Sequence, residues 1–335
     1  MPAGSSERGR HAIARVGDIS FLNCAPVRWG LADSGAAHQL ESLSAAPEQL
    51  AAELLAGRLD ISPVSLVRYL KHADELLLLP GLAIGSDGPV RSCHLVSRLP
   101  LKELDGKAVA LSNTSRTTVL LVRMLLEDAV GIRPDYLAHH QDLEAMSGAA
   151  DAAVLIGDDA LRLNSTRPAG LTLHDTGAMW RSWTGLPMVF AVWAVRREFA
   201  AAHPDRVRAV HSALLDAVLR ARGHPDAVAA AANRASATER AGRLGEQVLA
   251  DYYHALDYSF GERQFASVRE FARRAAARGE VPADVEPRCV PDLFPEPRPE
   301  PGLEPCPDPD LGPDSEPGRD SAPSSPHLST FGGQL

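Results

Sequence analysis

The sequence predicts an α/β protein with two lobes and mixed, mainly parallel sheets. Short apolar segments alternate with amphipathic segments at helical spacing, which is the pattern of βαβ units. The alternation starts near residue 13 and starts again after Pro100, so two sheets are expected rather than one. The chain has 335 residues, of which 45% are hydrophobic, and is therefore long enough to build two cores.

The first lobe is expected to open with a strand–helix–strand unit. The helix is predicted at 47–56, with Ser44 as candidate N-cap and Pro47 in its first turn. A strand before this helix and a strand after it would pair in parallel, because a helix is long enough to make the crossover connection. The strands predicted in this lobe lie at 13–16, 59–61 and 76–79.

The second series of elements begins with a strand at 108–111 and a helix at 117–127, whose apolar residues recur at helical spacing. The further predicted strands lie at 133–137, 152–156 and 189–195. From Pro204 onward the chain is predicted to be helical, with helices at 206–222, 245–256 and 262–278.

These elements predict a discontinuous first lobe, 13–97 and 195–282, with the second lobe, 98–194, inserted into it. Residues 283–335 are rich in Pro, Glu and Asp and have almost no core residues. Proline removes backbone donors and the acidic residues repel one another, so we expect a disordered tail. Disorder is also expected for 1–12.

The composition indicates no general attraction to nucleic acid or to an acidic membrane, because the net charge is -9. The four cysteines, Cys24, Cys93, Cys289 and Cys306, include no CxxC pair and have no histidine cluster beside them. Neither a metal site nor a disulfide framework is therefore expected. With no apolar signal region at the start and no run long enough to span a membrane, we expect a cytoplasmic protein.

The most informative local pattern is a run of four small polar residues between the strand at 108–111 and the helix that follows it. The run consists of Ser112, Asn113, Thr114 and Ser115. Hydroxyls and free amides at a helix N-terminus bind carboxylate or phosphate, because the helix dipole favours negative charge there. Helix capping explains one of the four residues, and an anion site explains the whole run.

Three other turns carry candidate side chains with weaker signals. Asn23 precedes Pro26, which can begin a helix, and Ser65 or Ser62 can cap the next one. Ser92 lies in an extended segment, 89–97, that is expected to cross between the lobes. Capping accounts for the first two positions without any ligand.

A further turn repeats the strand-to-helix theme at the end of the predicted strand 152–156. Gly157 has no side chain and lets a ligand approach the backbone. Asp158 can either cap the next helix or bond a ligand hydroxyl. His94 is a candidate base, although a lone histidine is more often structural, and Cys93 is expected to be a small buried residue.

The order of these motifs resembles the chorismate dehydratases of the futalosine route to menaquinone. The resemblance covers about residues 13–200 and is carried by GDISFLN, ISPVS, PVRS, SNTS, LIGD and MWRSWTGLPMVFAVW. It implies a type II periplasmic-binding-protein-like fold and a cofactor-free reaction. Chorismate would lose water to give 3-[(1-carboxyvinyl)oxy]benzoate.

On this resemblance, the turn at 112–115 and Ser92 are expected to hold the ring carboxylate, and Asn23 the second carboxylate or the leaving hydroxyl. The proton acceptor is either the substrate's own enolpyruvyl carboxylate or a side chain such as His94 or Asp158. The alternatives are a binding protein without chemistry and the related 1,4-dihydroxy-6-naphthoate synthase. The only partner expected is the small-molecule substrate, and the sequence does not indicate an oligomeric state.

Overall fold

The computed structural model describes residues 14–236, 244–291 and Leu293. The strands β1 to β10 are Arg15–Ile19, Glu41–Ala45, Ile61–Ser65, Leu76–Ser86, Cys93–Ser97, Ala108–Ser112, Asp135–His139, Ala152–Ile156, Thr172–Asp175 and Met188–Arg196. The helices α1 to α12 are Ala25–Asp33, Pro47–Leu55, Leu66–Lys71, Arg116–Met124, Leu143–Ala149, Gly157–Thr166, Thr176–Thr184, Arg197–Ala202, Pro204–Gly223, Pro225–Ser236, Glu246–Ala255 and Glu262–Ala277.

The strands form two five-stranded mixed sheets. The first has the order β2-β1-β3-β10-β4, and β10 runs antiparallel to both of its neighbours. The second has the order β7-β6-β8-β5-β9, and there β5 is the reversed strand. In each sheet the other four strands run in one direction, and the helices pack around the sheets, so the prediction of a two-lobed α/β fold is confirmed.

The positions at which the chain crosses between the sheets differ from the expected lobe boundaries at 97 and 194. Strand β5 belongs to the second sheet and β10 to the first. The crossings therefore lie between Ser86 and Cys93 and between Asp175 and Met188. Both strands are buried along almost their whole length, so their apolar residues do not indicate which sheet they join.

The prediction that Ser44 caps helix α2 is wrong. Ser44 lies in β2, where its hydroxyl donates to Asp18 Oδ2 at 3.0 Å, and α2 begins at Pro47 after an uncapped Ala46. Strand β2 itself was not predicted, because four of its five residues are not buried and it has no apolar run.

The lobes share buried apolar side chains. Leu66 and Val67 from α3 belong to the same cluster as Leu120 and Leu121 from α4, and Trp180 from α7 is fully buried in it. The indole Nε1 of Trp180 donates to Ser267 Oγ in α12 at 3.0 Å. None of the helices in the described ranges is both long and apolar enough to cross a membrane.

The segment expected to begin the disordered tail is ordered as far as it is described. The amide of Leu78 in β4 donates to Arg288 O, and the amide of Val290 donates to Leu78 O, both at 2.9 Å. Cys289, which lies in the segment expected to be disordered, is therefore half-buried against β4. The rest of the expected tail, including Cys306, and the expected disordered start at 1–12 lie outside the described residues.

The tight approach of β1 to β3 gives a test of this packing. A Cβ at Gly17 would lie 2.1 Å from Ser62 Oγ and 2.8 Å from Ser62 Cβ. Gly17→Ala should therefore lower the free energy of unfolding by about 1–3 kcal/mol, measured by urea denaturation. Gly148→Ala is the control, because nothing lies within 4 Å of its Cβ in helix α5. Equal losses in the two variants would contradict the packing.

Candidate active site

The carboxyl ends of the parallel strands define one edge on each sheet, and the two edges meet. The edge of the first sheet ends at Ile19 and Ser65, and that of the second at Ser112 and Ile156. Ligands of open α/β sheets bind at such edges, because the turns and helix N-termini that follow the strands present free backbone donors there.

Two hydrogen bonds run directly from one lobe to the other at these edges. The amide of Leu22 donates to Asp158 Oδ1, and the amide of Val67 in α3 donates to Thr117 Oγ1 in α4, both at 3.1 Å. Each bond gives an acceptor to an amide at the start of a helical turn, where the helix itself provides none. Asp158 was predicted either to cap a helix or to bond a ligand. In the structure its carboxylate accepts a hydrogen bond from the opposite lobe.

Asn23 lies in a 3-10 turn, Leu22–Cys24, that follows β1. The guanidinium of Arg28 donates to Ile19 O at 2.5 Å and to Phe21 O at 3.1 Å, and so fixes the segment that leads into the turn. The side-chain Oδ1 of Asn23 is buried and has no hydrogen-bond partner among the described residues. A buried acceptor without a partner is costly in an empty site, and a ligand donor would satisfy it. Helix α1 begins at Ala25 with Pro26 in its first turn, as predicted.

Ser92 lies at the end of the first crossing segment and is 4% exposed. Its hydroxyl oxygen accepts a hydrogen bond from Tyr252 OH at 3.0 Å. Its carbonyl oxygen accepts from the amide of Gly157 at 2.8 Å, which joins the crossing segment to the start of α6. Gly157 has a φ of 68°, which glycine tolerates, and a Cβ there would lie 3.6 Å from the Phe21 ring. Sequence reasoning gave no sign of Tyr252.

The polar run at 112–115 is organised by a residue that sequence reasoning missed, Gln141. Ser112 Oγ and Thr114 Oγ1 lie 2.6 Å apart, and both donate to Gln141 Oε1, at 3.1 and 3.3 Å. Gln141 also accepts from the amide of Ile156 at 3.0 Å. The hydroxyls of Ser112 and Thr114 thus shape the turn, and substrate binding by them stays a prediction.

The other two residues of the run have different environments. Ser115 caps α4, accepting from the amide of Thr118 at 3.2 Å and donating to Thr118 Oγ1 at 3.1 Å. Thr118 Oγ1 lies 3.7 Å from Cys93 Sγ, so this network ends beside Ser92. Asn113 is exposed, and its amide donates to His139 O at 3.1 Å. The structure therefore brings Ser115 and Ser92 to the same edge.

Ser65 occupies the N-cap position of α3, but its hydroxyl makes no capping bond. The oxygen is buried and has no partner among the described residues. The other serine considered for this cap, Ser62, lies inside β3 and donates to Pro63 O at 3.1 Å. Ser65 thus resembles Asn23 in offering an unsatisfied polar atom at the edge of the first sheet.

His94 is poorly placed to act as a base. It is 1% exposed, and its Nε2 lies 2.9 Å from Arg91 O, which identifies this nitrogen as a donor. Burial lowers the pKa of His94 below its usual value, so the ring is neutral at pH 7. Burial also lowers the pKa of the neighbouring His174. Cys93 is buried, as predicted, and burial raises the pKa of its thiol to about 12.

Asp175 anchors the meeting point of the lobes. One carboxylate oxygen accepts from the amide of Val90 at 3.0 Å and the other from that of Arg91 at 2.7 Å, in the first crossing segment. The same carboxylate accepts from the amides of Gly177 and Ala178, both at 3.0 Å, and caps α7. It therefore fixes the segment that carries Ser92.

Comparisons with known proteins assign the chain to a family. A family model described as menaquinone biosynthesis matches residues 14–277. A chorismate dehydratase from Thermus thermophilus is 36% identical over 192 residues, which are 53% of this chain and 68% of that protein. A 1,4-dihydroxy-6-naphthoate synthase from the same organism is 28% identical over 228 residues, 67% of this chain and 79% of that protein.

Solved structures show the same fold. A protein from Archaeoglobus fulgidus has a TM-score of 0.62 at 18% identity, over 82% of this chain and 100% of its own. The periplasmic aliphatic sulphonate binding protein SsuA from Escherichia coli has a TM-score of 0.61 at 17% identity, over 82% of this chain and 95% of its own. The expectation of a periplasmic-binding-protein-like fold is thereby confirmed.

Removal of the Asp175 carboxylate should destabilise the protein more than loss of an ordinary helix cap. Asp175→Ala leaves four amides without their acceptor, and we expect a loss of about 2–4 kcal/mol in the free energy of unfolding. Asp142→Ala is the matched control, since Asp142 caps α5 by one bond to the amide of Ala145. That variant should lose about 1 kcal/mol. Similar losses in both variants would contradict the anchoring role.

The buried histidines predict a loss of stability in mild acid. Burial lowers the pKa values of His94, His174 and His211 in the folded state. The unfolded chain therefore binds more protons below pH 6.5, and the free energy of unfolding should fall from pH 7 to pH 5 by up to about 1.4 kcal/mol per pH unit for each histidine. His211→Gln keeps a donor for Pro80 O but cannot bind a proton. An unchanged pH slope in that variant would contradict the assignment to His211.

Proposed function

From the premise that this chain belongs to the menaquinone-biosynthesis family, we propose that it is a chorismate dehydratase, a carbon–oxygen lyase that converts chorismate into 3-[(1-carboxyvinyl)oxy]benzoate. The observation that carries the proposal is the site at the joined sheet edges. There Asn23 and Ser65 present buried polar atoms that have no partner among the described residues, and the amide of Gly157 joins the edge of the second sheet to the crossing segment that carries Ser92. Polar groups of this kind suit a small substrate with several oxygens.

The reaction needs the loss of one proton and one hydroxyl group. The C3–H bond of chorismate breaks, its electron pair forms the C3–C4 double bond, and the C4 hydroxyl leaves as water after it takes up a proton. The ring becomes aromatic, which drives the overall conversion. The difficult step is the first proton loss, since the electrons spread through the diene onto the ring carboxylate. Donors on that carboxylate would stabilise the charge as it develops.

We assign the ring carboxylate to Ser92 and to the turn formed by residues 112–115. The hydroxyl of Ser92 accepts from Tyr252, and its own proton makes a long contact of 3.5 Å to Val90 O, so that a closer ligand oxygen would replace this acceptor. Helix α4 begins directly after Ser115, and its N-terminal dipole favours a negative charge beside the turn. Gly157 and Asp158 border the same region through their contacts with Ser92 and with the opposite lobe.

Asn23 is proposed to act at the other end of the substrate. Its Oδ1 can accept from the C4 hydroxyl, and its amide group can donate to the second carboxylate. Either contact would orient the leaving group relative to the C3 proton. Ser65, whose hydroxyl also has no partner in the described part of the chain, is proposed as an additional contact on this side.

The substrate's enolpyruvyl carboxylate is proposed as the base. Among the side chains considered for this role, His94 is fully buried and bonded to Arg91 O, while Asp158 is bonded to the Leu22 amide. An intramolecular base needs the protein only to hold the reacting atoms in position. Orientation of this kind contributes on the order of 7 kcal/mol or more to a reaction barrier.

Two other functions share this fold, namely ligand binding without chemistry and the naphthoate synthase reaction. The chorismate dehydratase from Thermus thermophilus is more similar to this chain, at 36% identity, than the naphthoate synthase from the same organism, at 28%. Ultraviolet absorbance separates the dehydratase from both alternatives, because only a dehydratase converts the diene of chorismate into a benzoate. No change on incubation with chorismate would overturn the proposal.

Single substitutions test the two residues that are proposed to contact the reacting substrate. Ser92→Ala and Asn23→Ala should each lower kcat by about 10²- to 10³-fold, as removal of one donor from an oxyanion site does. Ser165→Ala is the control, because Ser165 is exposed on α6 and donates to Arg162 O within its own helix. Full turnover in the Ser92 or Asn23 variant would remove that residue from the mechanism.

A further inference from the structure

Two buried tyrosines reach the two proposed catalytic residues from the C-terminal part of the first lobe. Tyr252 in α11 donates to Ser92 Oγ at 3.0 Å, and Tyr258, shortly after that helix, donates to Asn23 O at 2.7 Å. Their exposed fractions are 2% and 3%, and both rings belong to one apolar cluster. Only five residues of chain separate Tyr252 from Tyr258.

We propose that Tyr252 and Tyr258 are positioning residues for the dehydration, which fix the donor direction of Ser92 and the conformation of the turn that carries Asn23. This inference rests on the proposed function and goes beyond it, since it assigns catalytic positioning to helix α11 and the segment after it, which contribute no substrate contact in the proposal. The substrate class for which these residues are positioned is a small cyclic dicarboxylate.

The contact of Tyr252 determines where the proton of Ser92 can point. The oxygen of Ser92 accepts from the tyrosine, and the acceptors near the serine proton are weak: Val90 O lies 3.5 Å away, at the limit of a hydrogen bond, and the other is the Cys93 thiol. A ligand oxygen at ordinary hydrogen-bond distance would take the serine proton in preference to these acceptors. A hydroxyl that accepts one hydrogen bond also donates a stronger one. Burial raises the pKa of Tyr252 well above its usual value, so the phenol stays a donor.

Tyr258 makes one of the hydrogen bonds that fix the main chain of the turn containing Asn23. Arg28 holds the carbonyls of Ile19 and Phe21, and Asp158 holds the amide of Leu22. The carbonyl of Asn23 is held by Tyr258. The main chain is thus fixed by contacts from three separate elements, and the Asn23 Oδ1 atom remains without a partner in the described structure. Loss of the Tyr258 hydroxyl would release this turn on one side.

The tyrosine hydroxyls can be removed one at a time without changing the ring packing. Tyr252→Phe and Tyr258→Phe should each lower kcat about tenfold, the effect of losing one hydrogen bond of about 1.4 kcal/mol, while KM changes less than twofold. Tyr253→Phe is the matched control. Tyr253 is 8% exposed in the same helix, and its hydroxyl has no hydrogen-bond partner in the described structure. That variant should keep the kcat of the parent protein.

A double-mutant cycle separates positioning from simple structural support. If Tyr252 acts through Ser92, adding Tyr252→Phe to Ser92→Ala should lower kcat less than twofold further. An equal tenfold loss in both backgrounds would overturn the inference. The cycle is measured at a temperature at which circular dichroism shows all four proteins folded, so that a change in stability does not enter the comparison.

The failure of the inference can be told apart from the failure of the proposed function. Full turnover in Tyr252→Phe, together with a large loss in Ser92→Ala, overturns the positioning role and leaves the proposed function intact. Full turnover in Ser92→Ala overturns the role of Ser92 and, with it, the inference about Tyr252. The same comparison applies to Tyr258→Phe against Asn23→Ala.

Discussion

Two hydrogen bonds hold the two lobes together at the site. Each is donated by a backbone amide at the start of a helical turn, which has no acceptor within that turn. The amides of Leu22 and Val67 find no acceptor in their own lobe and bond Asp158 and Thr117 of the other. Both bonds lie where strand ends already carry polar groups, because strand-to-helix turns leave donors free. The strand ends of the two sheets are thereby held next to each other. Apolar packing of α3 on α4 stabilises the same arrangement.

The number of hydrogen-bond partners distinguishes residues that support the turns from residues proposed to bind the ligand. Gln141, Arg28 and Asp175 bond several backbone or hydroxyl groups each, and so shape the turns. Asn23 and Ser65 keep buried oxygens without partners in the described chain. A polar atom in that condition destabilises the free protein unless a ligand or water bonds it. At the sheet edge, where the strand-to-helix turns converge, this difference supports the proposal that Asn23 and Ser65 face the ligand.

The fold itself is shared with binding proteins, such as the periplasmic aliphatic sulphonate binding protein from Escherichia coli. A two-lobed clamp that presents helix N-termini to an anion serves both binding and catalysis, and fold alone does not separate them. Catalysis requires in addition that donors be fixed before the substrate's charge develops. In the mechanism that we propose, the tyrosine contacts to Ser92 and Asn23 meet this requirement.

The sequence by itself determined the α/β class, most elements and the turns that carry Asn23, Ser92 and residues 112–115, because apolar periodicity and small polar residues at strand ends are local signals. It did not determine which sheet β5 and β10 join, since strands buried on both faces carry no such signal. It also gave no sign of Gln141 or Tyr252. Their hydrogen-bond partners lie 15 to 160 residues away in the chain, and only the tertiary structure brings such residues together.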